Sequence, residues 1–179
     1  TLLGSTDRDF PCHALIWTPD TPPAGTEAEL VDLGRGTRAD FEAHGNRIAG
    51  RFVIVRQDYP FASDTTHRSV KYAWAREKGA VGFLLSSAVP GEQPATGYSA
   101  TNLPDDIPAA GISMETARAL GQAGGDRPAR LRLRIAGARK RGTGVDLIAE
   151  VPGQGPEWGV LSAHYDGHDL AESALDNAT

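Results

Sequence analysis

The sequence predicts an α/β chain of the α+β kind, a β-rich domain with a few flanking helices followed by further strands. Three observations predict it. Phe52-Val53-Ile54-Val55 is an apolar, largely β-branched run that follows the turn signal Gly50. Residues 67–85 pass from helical spacing to a stop at Gly79 and then to a second apolar run, the order of a crossover between parallel strands. Residues 130–135 alternate arginine with Leu131, Leu133 and Ile135, the period of a strand with one wet face.

Taken from the start, residues 14–17 and 28–33 are short strands separated by a loop that carries Pro19, Pro22, Pro23 and Gly25. Gly34 and Gly36 close the second strand. Residues 37–44 predict a short helix with Thr37 as N-cap and Asp40 three residues on, a weak version of the capping box. Residues 48–56 are a glycine turn leading into the strongest strand. In residues 67–78, Val70, Ala73 and Trp74 fall at helical spacing, and Gly79 can adopt the left-handed conformation of a helix end. Residues 81–85 form a buried strand, and 86–106 a long surface loop rich in glycine, proline and hydroxyls. Residues 107–113 give one more short strand. Ser113 then caps a helix over 114–123, and Gly124-Gly125-Asp126 ends it. This break places a domain boundary at 128, with one domain over 1–128 (core about 10–127) and a second, incomplete one over 129–179.

Composition narrows the function classes. Apolar residues make up 40% and charged residues 23%, as in an ordinary globular protein. The net charge of −5 does not favour nucleic acid as a partner, because phosphate binding wants a clustered basic surface, and the one basic run, 130–141, is interleaved with strand-spaced apolar residues. No stretch approaches the roughly 18 apolar residues of a membrane span. Cys12 is the single cysteine, so no intrachain disulfide forms, which leaves the compartment open.

The stretch 158–179 carries the chemistry. Val160, Leu161 and Ala163 predict a strand that ends in His164, Tyr165 and Asp166, and Asp176-Asn177 follows ten residues later. A strand end holds an imidazole in one orientation, and His164 and Asp166, at i and i+2, share a face. Asp166-Gly167 turns the chain before His168 can join them. Asp, Asn, Gly and Ser are also ordinary loop residues, and H-x-D by itself is weak.

Longer motifs go further. Asp146-Leu147-Ile148-Ala149-Glu150-Val151-Pro152-Gly153, then Ser162-Ala163-His164-Tyr165-Asp166-Gly167, then Ser173-Ala174-Leu175-Asp176-Asn177-Ala178-Thr179 resemble, in order and spacing, the first signature block of the di-zinc exopeptidases of metallopeptidase family 28. The departures are Asp146 for Asn, Ser162 for Gly, Gly167 for Ser, Ser173 for Gly and Thr179 for Ser. The resemblance implies that His164 ligates one zinc, that Asp176 bridges two, and that Asp166 orients the histidine. Those roles suit the side chains: a ligating imidazole donates its other N–H to a carboxylate, and a carboxylate can span two cations. Histidine and carboxylate would also accept manganese or cobalt. Upstream, Asn46-Arg47-Ile48-Ala49-Gly50-Arg51-Phe52-Val53-Ile54-Val55, a helix ending in Ala75-Arg76-Glu77-Lys78-Gly79-Ala80-Val81-Gly82-Phe83-Leu84-Leu85, and Ile107-Pro108-Ala109-Ala110-Gly111-Ile112-Ser113 resemble the protease-associated (PA) domain, which commonly stands near the start of these peptidases and has no catalytic residues in its pattern.

The resemblance therefore implies part of a zinc-dependent exopeptidase, an aminopeptidase acting on peptide or protein substrates by metal-activated water. The PA domain would assist substrate access or protein interaction. The family's other ligands and its general-base glutamate lie after the Asp-Asn block, so residues 129–179 read as the first strands of a zinc-exopeptidase-type mixed sheet. The 179 residues alone are expected to be inactive, with the two zinc ions of a complete enzyme not fully bound. Uncovered strand edges make 129–179 either associated or poorly ordered. The family favours a secreted or cell-envelope protein. The alternative is a non-catalytic PA-type protein-binding module. Other tempting residues read as structural: Ser86, Ser87 and Ser162 lack a nucleophile elbow, His44 and His67 sit in polar segments, and Trp74 anchors its helix, while Tyr59 and Phe61 could line a partner surface.

Overall fold

The computed structural model describes residues 1–4, 7–58, 63–99, 103–123, 127–138 and 140–164. The chain divides into two compact units, Thr1–Ala136 and Gly137–Thr179. In the first unit the strands are β1 (Leu2–Leu3), β2 (His13–Ala14), β3 (Thr26–Asp32), β4 (Phe52–Arg56), β5 (Gly82–Ser86), β6 (Ala109–Ile112) and β7 (Arg130–Leu133). The helices are α1 (Arg38–Ala43), α2 (Arg68–Glu77) and α3 (Met114–Ala123), with a single 3₁₀ turn at Gly45–Arg47.

The seven strands form one mixed sheet in the order β1-β7-β3-β4-β5-β6-β2. Its middle, β3 to β6, is parallel; α1 lies in the crossover from β3 to β4 and α2 in that from β4 to β5, while residues 87–108 join β5 to β6. β7 and β1 pair antiparallel on one side and β2 on the other. This is the mixed α+β architecture that the sequence predicts. The central strands are buried on both faces, as parallel strands covered by helices must be. Alternate residues of β4 divide between two cores. Val53 and Val55 meet Phe41, Tyr72 and Ala75 of α1 and α2, whereas Phe52 and Ile54 face a core with Ala117 and Leu120 of α3 and Leu131 and Leu133 of β7. Each large side chain so buried contributes roughly 1.5–3 kcal/mol.

Caps hold the helices where the sequence places them. Thr37 Oγ1 accepts the Asp40 N–H at 3.3 Å and Asp40 Oδ2 accepts the Thr37 N–H at 2.8 Å, a complete capping box in which aspartate does the work of glutamate. Ser113 Oγ accepts the Thr116 N–H at 3.0 Å. Gly79, at φ +78°, ends α2.

Four expectations are corrected. The first strand shortens to His13–Ala14, because a turn closes at Leu15–Thr18 and Trp17 has φ +70°. The helix over 67–78 forms, but with another face inward: Lys71, Tyr72 and Ala75 are buried while Val70 is 40% exposed. The alternating segment after 128 does not leave the first unit. β7 returns to pair with β3 and brings β1 with it, so the compact unit runs to Ala136. In the second unit the strand expected at 160–163 does not form, and residues 140–164 contain no helix or strand. Val151, Trp158, Val160 and Leu161 are all more than 80% exposed, since an apolar strand needs a partner ladder and an opposing layer that these residues do not supply. Of the long loop expected over 86–106, Ser86 is instead the last residue of β5, and the described residues from 87 to 106 contain no helix or strand beyond a single bridge of Tyr98 to Ile16.

Candidate functional site

Of the three expected site residues, only His164 lies among the described residues. It is exposed, on irregular backbone. Asp166 and Asp176 lie outside the described residues. Among the described residues no group of three or more His, Cys, Asp or Glu side chains could hold a metal ion. The described part of the chain therefore does not by itself fit a metal centre, although imidazole and carboxylate are the donors that zinc takes.

A network of charged side chains is built from residues other than the three expected site residues. It lies where β3 and β4, which are parallel, release their connections to α1 and α2. Lys71, fully buried on α2, donates from Nζ to Asp58 Oδ2 at 2.8 Å and to the Arg56 carbonyl at 3.0 Å. Asp58 also accepts the Thr66 N–H at 3.0 Å and Arg35 Nε at 3.0 Å. Arg35 continues to the Asp64 carboxylate at 2.8 Å. Beside this chain Arg56 grips Asp32 through two parallel bonds of 3.1 and 3.0 Å, and Asp32 accepts the Gly34 N–H at 2.8 Å.

Burial pushes the Lys71 ammonium below its ordinary pKa, and Asp58 only partly offsets this. Burial acts on Asp58 in the opposite sense, raising it, but the bonds from Lys71, the Thr66 N–H and Arg35 together hold its carboxyl below the usual range. Gly36 makes the arrangement possible. At φ +65° it takes a conformation that disfavours side chains, and a Cβ there would lie 2.6 Å from Val55 Cγ1 and 3.4 Å from the Lys71 stem. The charges are matched and hydrogen-bonded to one another. The network ties the segments at Arg35, Asp58 and Asp64–Thr66 to α2. The signal that could have found it is the spacing Tyr72, Ala75, Gly79, which puts Lys71 on the inward face.

Ser86, His44 and His67 make local structural contacts. Ser86 is buried and donates to the Ser87 carbonyl at 3.1 Å. His44 Nδ1 lies 3.0 Å from the Asp40 carbonyl. His67 is the N-cap of α2: its Nδ1 accepts the Ser69 N–H at 3.3 Å, which requires that nitrogen to be unprotonated. Desolvation, and after it the Arg68 charge, lower the His67 pKa. A group whose folded pKa is depressed contributes stability that is present above its unfolded pKa, about 6.5, and lost as pH falls through the folded value. His67→Asn, which keeps a capping oxygen without a titration, is expected to flatten the loss of stability between about pH 7 and 5. Urea titrations of both proteins across that range check it, and parallel curves would contradict it.

The architecture is one that comparison with known proteins recognises. The PA domain family matches residues 26–120. The chain belongs to the PA domain family. Solved structures add a second likeness. A zinc aminopeptidase of Bacillus subtilis, BSAP, superposes with a TM-score of 0.58 at 24% identity, over 73% of this chain and 28% of that one. An aminopeptidase from Aneurinibacillus sp. strain AM-1 gives 0.53 at 21%, over 71% and 28%. A peptidase M28 precursor from Shewanella amazonensis SB2B gives 0.52 at 20%, over 74% and 32%. At these identities the likeness is one of fold. The chain spans about a third or less of the length of these structures. No curated protein sequence matches it.

Proposed function

We propose that the chain is the PA unit and the beginning of the catalytic domain of a zinc-dependent aminopeptidase of metallopeptidase family 28. The observation that carries this reading is sequence order. A PA domain over 26–120 is followed by the three blocks around Ile148, His164 and Asp176, at the spacing of that family's first signature. That the similar folds include a zinc aminopeptidase and a peptidase M28 precursor supports it. His164 and Asp176 are then metal ligands, Asp166 holds the His164 ring, and zinc supplies Lewis-acid chemistry when bound. With two such ligands in these 179 residues, the chain alone does not hold a zinc pair and does not turn over peptides. Residues 137–179 belong, on this reading, to the catalytic domain. Peptides are the substrates, and the family's usual location is secreted or cell-envelope.

The PA unit contributes a recognition surface. Ile16, Trp17 and Tyr98 are 56%, 49% and 48% exposed, Ile16 bridges to Tyr98, and the Arg68 guanidinium lies 5.7 Å from the Tyr98 ring. Trp17 is the one non-glycine residue with positive φ among the described residues, and backbone strain at an exposed aromatic is characteristic of binding loops.

The test is metal content and hydrolysis of an aminoacyl amide by the whole gene product, with a His164→Ala, Asp176→Ala double variant beside it. About two zinc ions per chain and turnover, both lost in the variant, are expected. A metal-free, inactive wild type would leave a PA-type binding module in place of the enzyme.

A further inference from the structure

We infer that the Arg141–Gly142 bond is a processing site for an endoprotease specific for paired basic residues, whose cut releases the PA unit as a stable domain. The sequence contains a single run of adjacent basic residues, Arg139-Lys140-Arg141, and Gly142-Thr143-Gly144 follows it. The scissile bond stands among the first residues of the second unit, shortly after the first unit ends at Ala136. The last anchor of the first unit is Ile135, which is buried. Its N–H donates to Thr21 Oγ1 at 3.0 Å, and its carbonyl accepts the Thr21 N–H at 3.0 Å.

From Lys140 to Gly144 the backbone is open to an enzyme. Lys140 to Gly144 are all exposed and lie in no helix or strand. Among the described residues no backbone hydrogen bond or ion pair involves Lys140, Arg141, Gly142 or Thr143. A Cβ built on Gly142 or Gly144 would meet nothing within 4 Å. A protease binds several residues in extended form, so it cuts where the chain can be drawn into its cleft without first opening the fold. Basic residues of the first unit are held otherwise. Arg51 pairs with Glu29, Arg56 with Asp32 and Arg132 with Glu27, each on a strand or beside one, and none of these arginines has a basic neighbour in sequence.

The reaction is a hydrolysis. Water gives its hydroxyl to the Arg141 carbonyl carbon and a proton to the Gly142 nitrogen, the C–N bond breaks, and a new carboxylate and a new amino terminus result. The cutting enzyme is a separate protein, so the inference does not rest on the peptidase reading.

The experiment incubates the full chain with a paired-basic-specific endoprotease under native conditions and weighs the products by mass spectrometry. A product ending at Arg141 and one beginning at Gly142 are expected. The first cut should be about 100-fold faster than any cut inside 1–136, because that region must open before it is cleaved, and the product ending at Arg141 should still melt cooperatively. The variant K140Q/R141Q should lose the cut and keep the melting temperature of the wild type. An intact Arg141–Gly142 bond while an unfolded control is cleaved would overturn the inference. So would first cuts inside 1–136, or a product ending at Arg141 that is degraded or melts without cooperativity.

Discussion

Asp58→Ala is expected to destabilise the PA unit by about 3 kcal/mol, because it strands a charge. Lys71 is fully buried, and its two acceptors are the Asp58 carboxylate and the Arg56 carbonyl. Removing the carboxylate leaves an ammonium in the interior with one neutral acceptor, a change that costs about 3–5 kcal/mol when a buried pair is broken from one side. The reverse change is milder. Lys71→Met leaves Asp58 with the Thr66 N–H and with Arg35, so it should cost roughly half as much, and adding Lys71→Met to Asp58→Ala should recover most of the loss. Urea denaturation of the four proteins measures the cycle. An Asp58→Ala protein within about 1 kcal/mol of wild type would show that the pair is not a buried one. The pH dependence has a definite sign. The Asp58 pKa is lowered in the folded state, so the contribution is present above the unfolded value of about 3.9 and is lost as pH falls through the folded value.

Gly111→Ala is expected to be as severe, for a reason of space rather than charge. Gly111 lies in β6, paired with Leu85 of β5 and His13 of β2. The chain at Ala95 crosses directly over it, so a Cβ on Gly111 would run into the carbonyl oxygen of Ala95. Ala95 is itself buried and donates its N–H to Ile112 at 3.3 Å, and two residues on Gly97 accepts the Ile16 N–H at 2.8 Å. The methyl therefore either lifts that loop from the sheet or displaces a central strand. We expect a loss of about 3 kcal/mol and a melting temperature lower by about 10 °C. Gly142→Ala, at a position with open space, is the matched control and should melt with the wild type. A Gly111→Ala protein that melts within about 2 °C of its parent would refute the close crossing.

Local signals in the sequence were enough to locate the helices and the central strands. Thr37, Ser113 and Gly79 mark ends through chemistry that needs no distant partner, and the β-branched run at 52–55 is apolar enough to declare itself. What escaped depends on pairing across the chain. Gly124-Gly125-Asp126 reads as a domain break, yet β7 returns more than a hundred residues along the chain to β3, and β1 is a strand only because β7 is there to pair with it. Lys71 is buried against Asp58, thirteen residues earlier, a pairing that helical spacing alone does not point to. The apolar run Val160, Leu161 and Ala163 reads as a strand, but a strand needs neighbours, and these residues are irregular. The candidate site was legible as an ordered set of motifs. Its geometry was not, because two of its three residues lie outside the described part of the chain.

The central claim is that His164 and Asp176 are ligands of a zinc pair, and diffraction at the zinc absorption edge from crystals of the whole gene product tests it most directly. Two anomalous peaks are expected, one of them within ligand distance of a His164 ring nitrogen, about 2.0–2.1 Å, and at least one within ligand distance of the Asp176 carboxylate. Zinc held by other side chains, with His164 turned to solvent, would contradict it.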